Sequence, residues 1–521
     1  MHPTTAPATL PDTRARLERV GQAHLLRFYD TLDPSRQAAL LRQIASLDIE
    51  GLPALVEGYV TGKPHPPQAA SLEPAPFLAI DGRVVGATPA TAPAHTWDRA
   101  AARRLGAQAI AAGRVAAFTV AGGQGSRLGF EGPKGCFPGG PVTGKPLFAC
   151  LAEWILAAQR RHCPAHVTIP WYLMTSPLNH DATVAFFQLH RFFGLRQQDV
   201  VFFPQGVLPS FDMATGRVLL AAPDEVAVNP DGHGGSLRAL HASGATADMR
   251  RRGVDLISYT QIDNPLVRVI DPVFLGVHLG SAAQDPALPG GSSGEMSSKM
   301  VAKAGPAEKV GVLCHADGRT AVIEYSDLPK HLAERTNPDG SLAFAAGSIA
   351  VHVIAVDFVE RLNGAAGARQ APLGHAPGHS LAAQPAGLAL PLHRAEKKVP
   401  YTDPDTGRRV EPTTNNAVKL ETFVFDALPL AARSVVLETA RAEEFAPIKN
   451  AAGPDSPESC ALIQTARAAR WLEAAGVGVP RRSDGSPDCV IELSPLTALE
   501  PQDVPAIAPT PRIAPGLRVA L

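Results

Sequence analysis

Long apolar runs are missing from these 521 residues: none approaches the roughly 18 that a membrane-spanning helix needs, so no membrane partner is expected. An excess of either charge is missing too. Lys plus Arg number 48 against 49 for Asp plus Glu, a formal net charge of -1, and with no broad basic field to hold a polyanion the chain is not expected to bind nucleic acid. Cysteine is sparse. The six (Cys136, Cys150, Cys163, Cys314, Cys460, Cys489) stand without a C-x-x-C pair, which excludes a disulfide framework and a zinc ribbon. Met1 to Pro11 lacks a basic start followed by an apolar core, so a cytoplasmic location is the expectation.

What is present is length and order. At roughly 150 residues per domain the chain allows about three domains and a large core. Residues 13–60 carry a helical pattern, with Leu17, Val20, Leu25, Phe28 and Leu32 near one face and Asp33-Pro34 as cap and first-turn proline of a second helix. The Pro/Ala-rich stretch 63–94 breaks that periodicity and reads as a linker or strap. Beyond it, short β-branched or aromatic runs at 115–120, 171–175, 200–203, 254–262 and 350–356 alternate with helical stretches. Such alternation predicts an α/β fold, a doubly wound and mainly parallel sheet. Residues 364–387 read as a surface insertion, 423–441 as helical, and 501–515 as too proline-rich for regular structure. The expected segments are a helical N-terminal region with linker at 1–100, a catalytic domain at 101–400 and a small C-terminal domain with a Pro-rich tail at 401–521.

The run 115–120 ends in AGGQGSRLGF from Ala121, and Pro133-Lys134 follows. A buried strand entering a glycine-dense turn lets backbone N–H groups approach an anion that a Cβ would hold away, while Arg127 and Lys134 supply cations. A triphosphate is the natural guest. Nearby, residues 139–145 (GGPVTGK) match the first seven positions of a P-loop, but Pro146 stands where a magnesium-binding Ser or Thr belongs and no buried strand precedes them, so a P-loop ATPase is rejected. Leu128 in place of a third glycine argues equally against a dinucleotide fold.

AGGQGSRLGF with GPKG closely resembles the signature of UDP-sugar pyrophosphorylases, especially eukaryotic-type UDP-N-acetylglucosamine pyrophosphorylases, which carry Thr at the place of Ser126. The resemblance continues, in the family's order, through GQAHLLRFYD at Gly21, WYLMTS at Trp171, ISYTQIDNPLVRVIDPVF at Ile257, VGVL at Val310, VIEYSDL at Val322, EKKVPYTD at Glu396, KLETFVFDAL at Lys419 and AEEFAPIKNA at Ala442. It covers about Leu17 to Ala474. It implies a Rossmann-like nucleotidyltransferase that takes UTP and a sugar 1-phosphate and releases pyrophosphate.

By the same resemblance, Ala121, Gly122, Gly123, Arg127 and Lys134 surround the UTP phosphates and Asp263 holds Mg2+. An acid at the carboxyl end of a buried strand suits a hard cation shared with phosphates, and a phosphate monoester needs no base to become a nucleophile. Gln205 and backbone near Gly232 are expected at uracil, because an amide matches both a donor and an acceptor of the base. Lys397 or Lys398 is expected on the pyrophosphate side, with no choice between them. His233, Glu324 and Ser348 are expected at the sugar. Here the chain departs from its relatives: His233 replaces the Asn of P-D-G-N-G-G, and Ala345 to Ser348 replaces N-A-G-N, losing two amides. N-acetylglucosamine 1-phosphate is the first expectation, with glucose 1-phosphate or a wider range second. A non-catalytic UDP-sugar sensor and an N-terminal helical interaction module are the readings from other classes.

Overall fold

The computed structural model describes residues 9–62, 71–86, 96–285, 288, 291–364, 390–507 and 511–521. Apart from Gly364, the segment read as an insertion lies outside them until Leu390. Two compact units interleave along the chain. One comprises Met1–Ala69, Gln205–Arg238 and Arg361–Ala427, and the other Ala70–Pro204, Ala239–Glu360 and Leu428–Leu521. The consecutive segments 1–100, 101–400 and 401–521 differ from this arrangement, because long-range strand pairing, invisible to local composition, decides which pieces pack together.

In the larger unit, strands Leu256–Gln261, Val115–Val120, Trp171–Thr175 and Val200–Pro204 lie side by side in parallel. The nearly continuous burial of the first three explains why they read as apolar runs rather than alternating ones. The sheet is mixed beyond them. Ala346–Ala355 runs antiparallel to both Leu256–Gln261 and Met296–Ala302. Two sequence readings are corrected here. Part of the supposed linker supplies strands: Leu72–Pro74 pairs with Val312–Ala316, and Phe77–Leu78 pairs with Val84–Val85 and with Val436–Glu438. Within the stretch read as helical, Val436–Glu438 is itself a strand beside Met296–Ala302, since β-branched residues buried on both faces fit a sheet interior.

Helices Arg99–Ala111 and Pro272–Ala282 touch backbone to backbone: a Cβ at Gly106 would lie 1.8 Å from Pro272 O, and one at Gly276 1.7 Å from Ala102 O. Asp98 and Asp271 cap them. Farther along, Ser456 caps Pro457–Ala474 through a capping box, and Val490–Glu492 pairs in parallel with Arg518–Ala520, with Ile491 in one cluster with Trp471 and Leu472 of that helix. The proline-rich end is more regular than expected, with a 3-10 turn at Pro501–Ala506. There, Pro501 occupies the first position, whose N–H would lack a partner anyway.

The smaller unit begins as the sequence predicts. Leu10–Arg19 is followed by Pro34–Ala45, with the Asp33 carboxylate accepting from Ser35 N and Arg36 N. Leu17, Leu25, Leu40 and Ile44 are buried against Leu208, Phe211, Leu220, Val418 and Leu420. These come from small sheets, among them His393–Lys397 with Ala417–Glu421 and Phe211–Asp212, and Val228–Pro230 with Val207–Pro209.

Candidate functional site

In the larger unit, adjacent parallel strands set Val120 opposite Gln261, so Ala121 and Ile262-Asp263 emerge together at their carboxyl ends. That is where open α/β sheets bind ligands. The turn is fixed internally: Ala121 N donates to Met174 O at 2.8 Å, Asn179 Nδ2 donates to Ala121 O at 3.1 Å, and Lys134 N donates to Gly123 O at 3.0 Å. A Cβ at Gly123 would meet no atom within 4 Å, so the protein's own packing does not demand glycine there. Such open space admits a ligand against bare backbone.

Lys134 turns toward the acid. Its Nζ lies 3.5 Å from Asp263 Oδ2, and both side chains are largely buried. Arg127 is exposed at the turn's rim. Asp263, Asn264, Ser348, Phe445 and Lys449 line a cleft of ≈ 70 Å³, smaller than a whole nucleotide sugar. Glu324 lies nearby: a Cβ on Gly311 would stand 3.6 Å from Glu324 Oε1, while Gly311 O accepts from Ser348 N at 2.8 Å. The sequence reading missed Lys449. It falls in the quoted AEEFAPIKNA, and the cue was a lysine following an apolar pair in a segment that returns to the strand ends.

A buried ion cluster supports this floor. Lys299, 1% exposed, donates to Asp271 Oδ2 and Glu444 Oε2 at 2.6 Å each. Asn264 Nδ2 donates to Glu444 O at 2.6 Å, and Ile448 N to Asp263 O at 2.8 Å. The chain leading to Lys449 is thereby tied to the strand end bearing Asp263.

In the smaller unit, Val207 pairs with Pro230 and Asp231 N donates to Gly206 O at 3.2 Å, so Gln205 and Gly232 flank one short ladder. Gly232 has φ +85°, and a Cβ there would lie 2.3 Å from Thr422 O. Asp231 is buried with Oδ1 unpartnered among the described residues, and burial, against the pull of Arg238, raises its carboxyl to about 6. His233 is more tightly built in than its place in the motif suggested. Val424 N donates to its Nδ1 at 3.1 Å, its ring stacks on Phe423 at 5.2 Å, and burial, with His393 adding to it, lowers it to about 4. A neutral ring accepting at Nδ1 carries its proton on Nε2, leaving one donor and no free acceptor.

The two candidate lysines also separate. Lys397 ends strand His393–Lys397 opposite Ala417, placing it on the same face as Lys419, which stands opposite Ala395. Lys398 lies beyond the strand, and both lysines are exposed. Burial and then Lys397 hold the Lys419 ammonium below its usual range, against Glu421. Lys419 was missed although KLETFVFDAL was quoted; its alternation with buried Val418 and Leu420 was the available signal.

Among the described residues no three His, Cys, Asp or Glu side chains group as a metal site, and no helix is long and apolar enough to cross a membrane. The family described as UTP--glucose-1-phosphate uridylyltransferase matches residues 95–366. The chain is 36% identical over 511 residues to the UDP-N-acetylhexosamine pyrophosphorylase-like protein 1 of Mus musculus, covering 94% of this chain and 92% of that one. It is 32% identical over 479 residues to the UDP-N-acetylglucosamine pyrophosphorylase of Saccharomyces cerevisiae, covering 90% and 92%. The crystal structure of the Trypanosoma brucei UDP-N-acetylglucosamine pyrophosphorylase in complex with inhibitor matches with a TM-score of 0.73 at 23% identity over 99% of both chains, a likeness of fold. The residue pattern read along the sequence, the strand-end turn with its lysine and acid, and these matches agree: the chain belongs to the UDP-sugar pyrophosphorylase family of nucleotidyltransferases.

Proposed function

We propose that this protein joins UTP to N-acetylglucosamine 1-phosphate. A phosphate oxygen of the sugar attacks the α-phosphorus of UTP, the bond from that phosphorus to the bridging oxygen breaks, and pyrophosphate leaves. The observation that carries the reading is Lys134 directed at Asp263 beside an open glycine turn. Charge builds on the bridging and equatorial oxygens during displacement, and a fixed ammonium at that place stabilises it more than it stabilises bound UTP. Arg127 adds a second cation at the rim, and backbone at Ala121, Gly122 and Gly123 lies against phosphate. Gln205 and Gly232 are assigned to uracil, and Lys397, rather than Lys398, to the pyrophosphate side, because Lys397 shares a strand face with Lys419.

Magnesium fits this site as a shared ion. Asp263 is a single carboxylate at the cleft, and Mg2+ is commonly held by one or two carboxylates together with substrate phosphates and water. When bound it would neutralise part of the triphosphate charge. Full turnover in excess chelator would remove Asp263 from that role.

A second reading concerns the sugar. Ser348 lines the cleft where relatives of the N-acetylglucosamine type carry an amide, and His233 offers only its Nε2 donor. Glu324 accepts sugar hydroxyls in either reading. Each missing partner for an acetamide is worth about 1 to 3 kcal/mol, one to two decades of discrimination. The test is kcat/KM for N-acetylglucosamine 1-phosphate and glucose 1-phosphate in the parent and in Ser348→Asn. A modest parental preference that widens in Ser348→Asn supports relaxed choice; strong parental rejection of glucose 1-phosphate, unchanged by the substitution, places discrimination elsewhere.

A further inference from the structure

The GGPVTGK loop that failed as a P-loop is an anion site nonetheless. Val142 N and Thr143 N donate to Glu492 Oε2 at 2.9 and 2.8 Å, Thr143 Oγ1 donates to Oε1 at 2.8 Å, and Lys145 Nζ lies 3.1 Å from Oε1. A Cβ on Gly140 would fall 2.8 and 2.9 Å from the two carboxylate oxygens, so only glycine leaves them room. Backbone amides, a hydroxyl and a lysine around an oxyanion are the chemistry of a phosphate cradle. The oxyanion here belongs to the chain itself, on strand Val490–Glu492 near the C-terminus. Burial opposes ionisation of Glu492, but the amides of Thr143 and Val142, the Thr143 hydroxyl and Lys145 outweigh it and keep the carboxyl below its usual range.

The loop is closed and fastened. Gly139 N donates to Lys145 O at 2.8 Å, Gln464 Nε2 to Gly139 O at 2.8 Å, and Arg518 Nη2 to Pro141 O at 2.6 Å. Lys145 Nζ also lies 2.5 Å from Glu153 Oε2, which accepts from Ser494 Oγ at 2.7 Å. It adjoins the lysine turn directly: Phe137 N donates to Lys134 O and Leu147 N to Phe137 O, each at 3.0 Å.

We propose that residues 139–145 form an anion nest kept filled by Glu492, and that this internal carboxylate holds the Lys134 turn in its working geometry, making Glu492 a positioning residue for uridylyl transfer. The proposal rests on the role given to Lys134 above. Without the carboxylate the Val142 and Thr143 N–H groups lose their acceptor, Lys145 keeps only Glu153, and the turn next to the loop loses its brace.

Chemical rescue tests this. In Glu492→Ala, turnover falls about tenfold or more while KM for UTP stays near the parental value, because a small misplacement of a charged group costs mostly in the transition state. Added formate, a free carboxylate small enough for the vacated space, raises the melting temperature of Glu492→Ala and restores part of its turnover, and does neither in the parent; chloride does not substitute. Glu492→Gln, whose amide oxygen can keep both backbone donors but whose NH2 then faces the Lys145 ammonium, stays impaired. Parental turnover in Glu492→Ala overturns the proposal, as does a folded, impaired variant whose melting temperature and turnover both ignore formate. Should Glu492→Ala not fold, Gly140→Ala, whose methyl displaces the carboxylate, must lower turnover in the same way, and parental turnover there overturns it. The formate shift in melting temperature needs no substrate, so it separates failure of this proposal from failure of the assigned reaction.

Discussion

Two glycine-rich turns of the larger unit begin alike and end differently. At 121–125 a Cβ on Gly123 meets nothing and Lys134 faces Asp263 across 3.5 Å, whereas at 139–145 a Cβ on Gly140 strikes the Glu492 carboxylate and Lys145 is bound to Glu153 and Glu492. Glycine density therefore says that something comes close to the backbone and not what it is. The first turn is open because it leaves a buried parallel strand at the ligand-binding edge. The second is closed because the chain returns to it with its own anion.

The contrast breaks most sharply at the lysines' acidic partners. Lys134→Ala and Asp263→Ala should each lower turnover by about 10²- to 10³-fold with little change in melting temperature, since charge stabilisation is lost and no core is opened. Near-parental turnover in either purified variant would erase the difference between the two turns. Steady-state pyrophosphate release measures it.

A second comparison sets Glu492 beside Asp231, a buried carboxyl next to a third glycine turn. Amides surround Glu492 and keep it ionised, whereas Asp231 Oδ1 has no partner among the described residues and its carboxyl is raised to about 6. The folded chain then holds a proton that the unfolded chain releases between pH of about 4 and 6, so stability falls as pH rises through that window. The contribution is on the order of 3 kcal/mol. Asp231→Asn should remove that fall, seen as urea midpoints at pH 4.5 and 6.5 that differ less than in the parent. An unchanged difference would give Asp231 a partner in solution.

The smallest effect distinguishes open from filled glycine. Gly123→Val should raise KM for UTP about tenfold, about 1.4 kcal/mol, and leave the melting temperature alone. Gly140→Val should lower the melting temperature and leave KM for UTP alone. Reversed results would mean that the 139–145 loop, not the 121–125 turn, receives the nucleotide.

Much of this was legible in the sequence. Continuous apolar runs marked the four parallel strands, Asp33-Pro34 marked a helix start, the strand-turn-cation order singled out Lys134, and the end of the run 254–262 singled out Asp263. Strand direction was not legible, because a buried β-branched run is the same in either sense, and Ala346–Ala355 proved antiparallel. Nor were the pieces 72–85 and 436–438, too short to show a period before they find partners. Lys449 and Lys419 escaped because a lone lysine among apolar neighbours looks like any solvated lysine until the fold places it. His233 was legible only as a motif position; that half of its hydrogen-bonding capacity is spent on Val424 was not.

The central claim is uridylyl transfer supported by Lys134 at the open turn. Purified protein incubated with UTP, Mg2+ and N-acetylglucosamine 1-phosphate should yield pyrophosphate and UDP-sugar in equal amounts, with Lys134→Ala folded and nearly inactive. No pyrophosphate from the parent with any sugar 1-phosphate, or equal yield from Lys134→Ala, would contradict it.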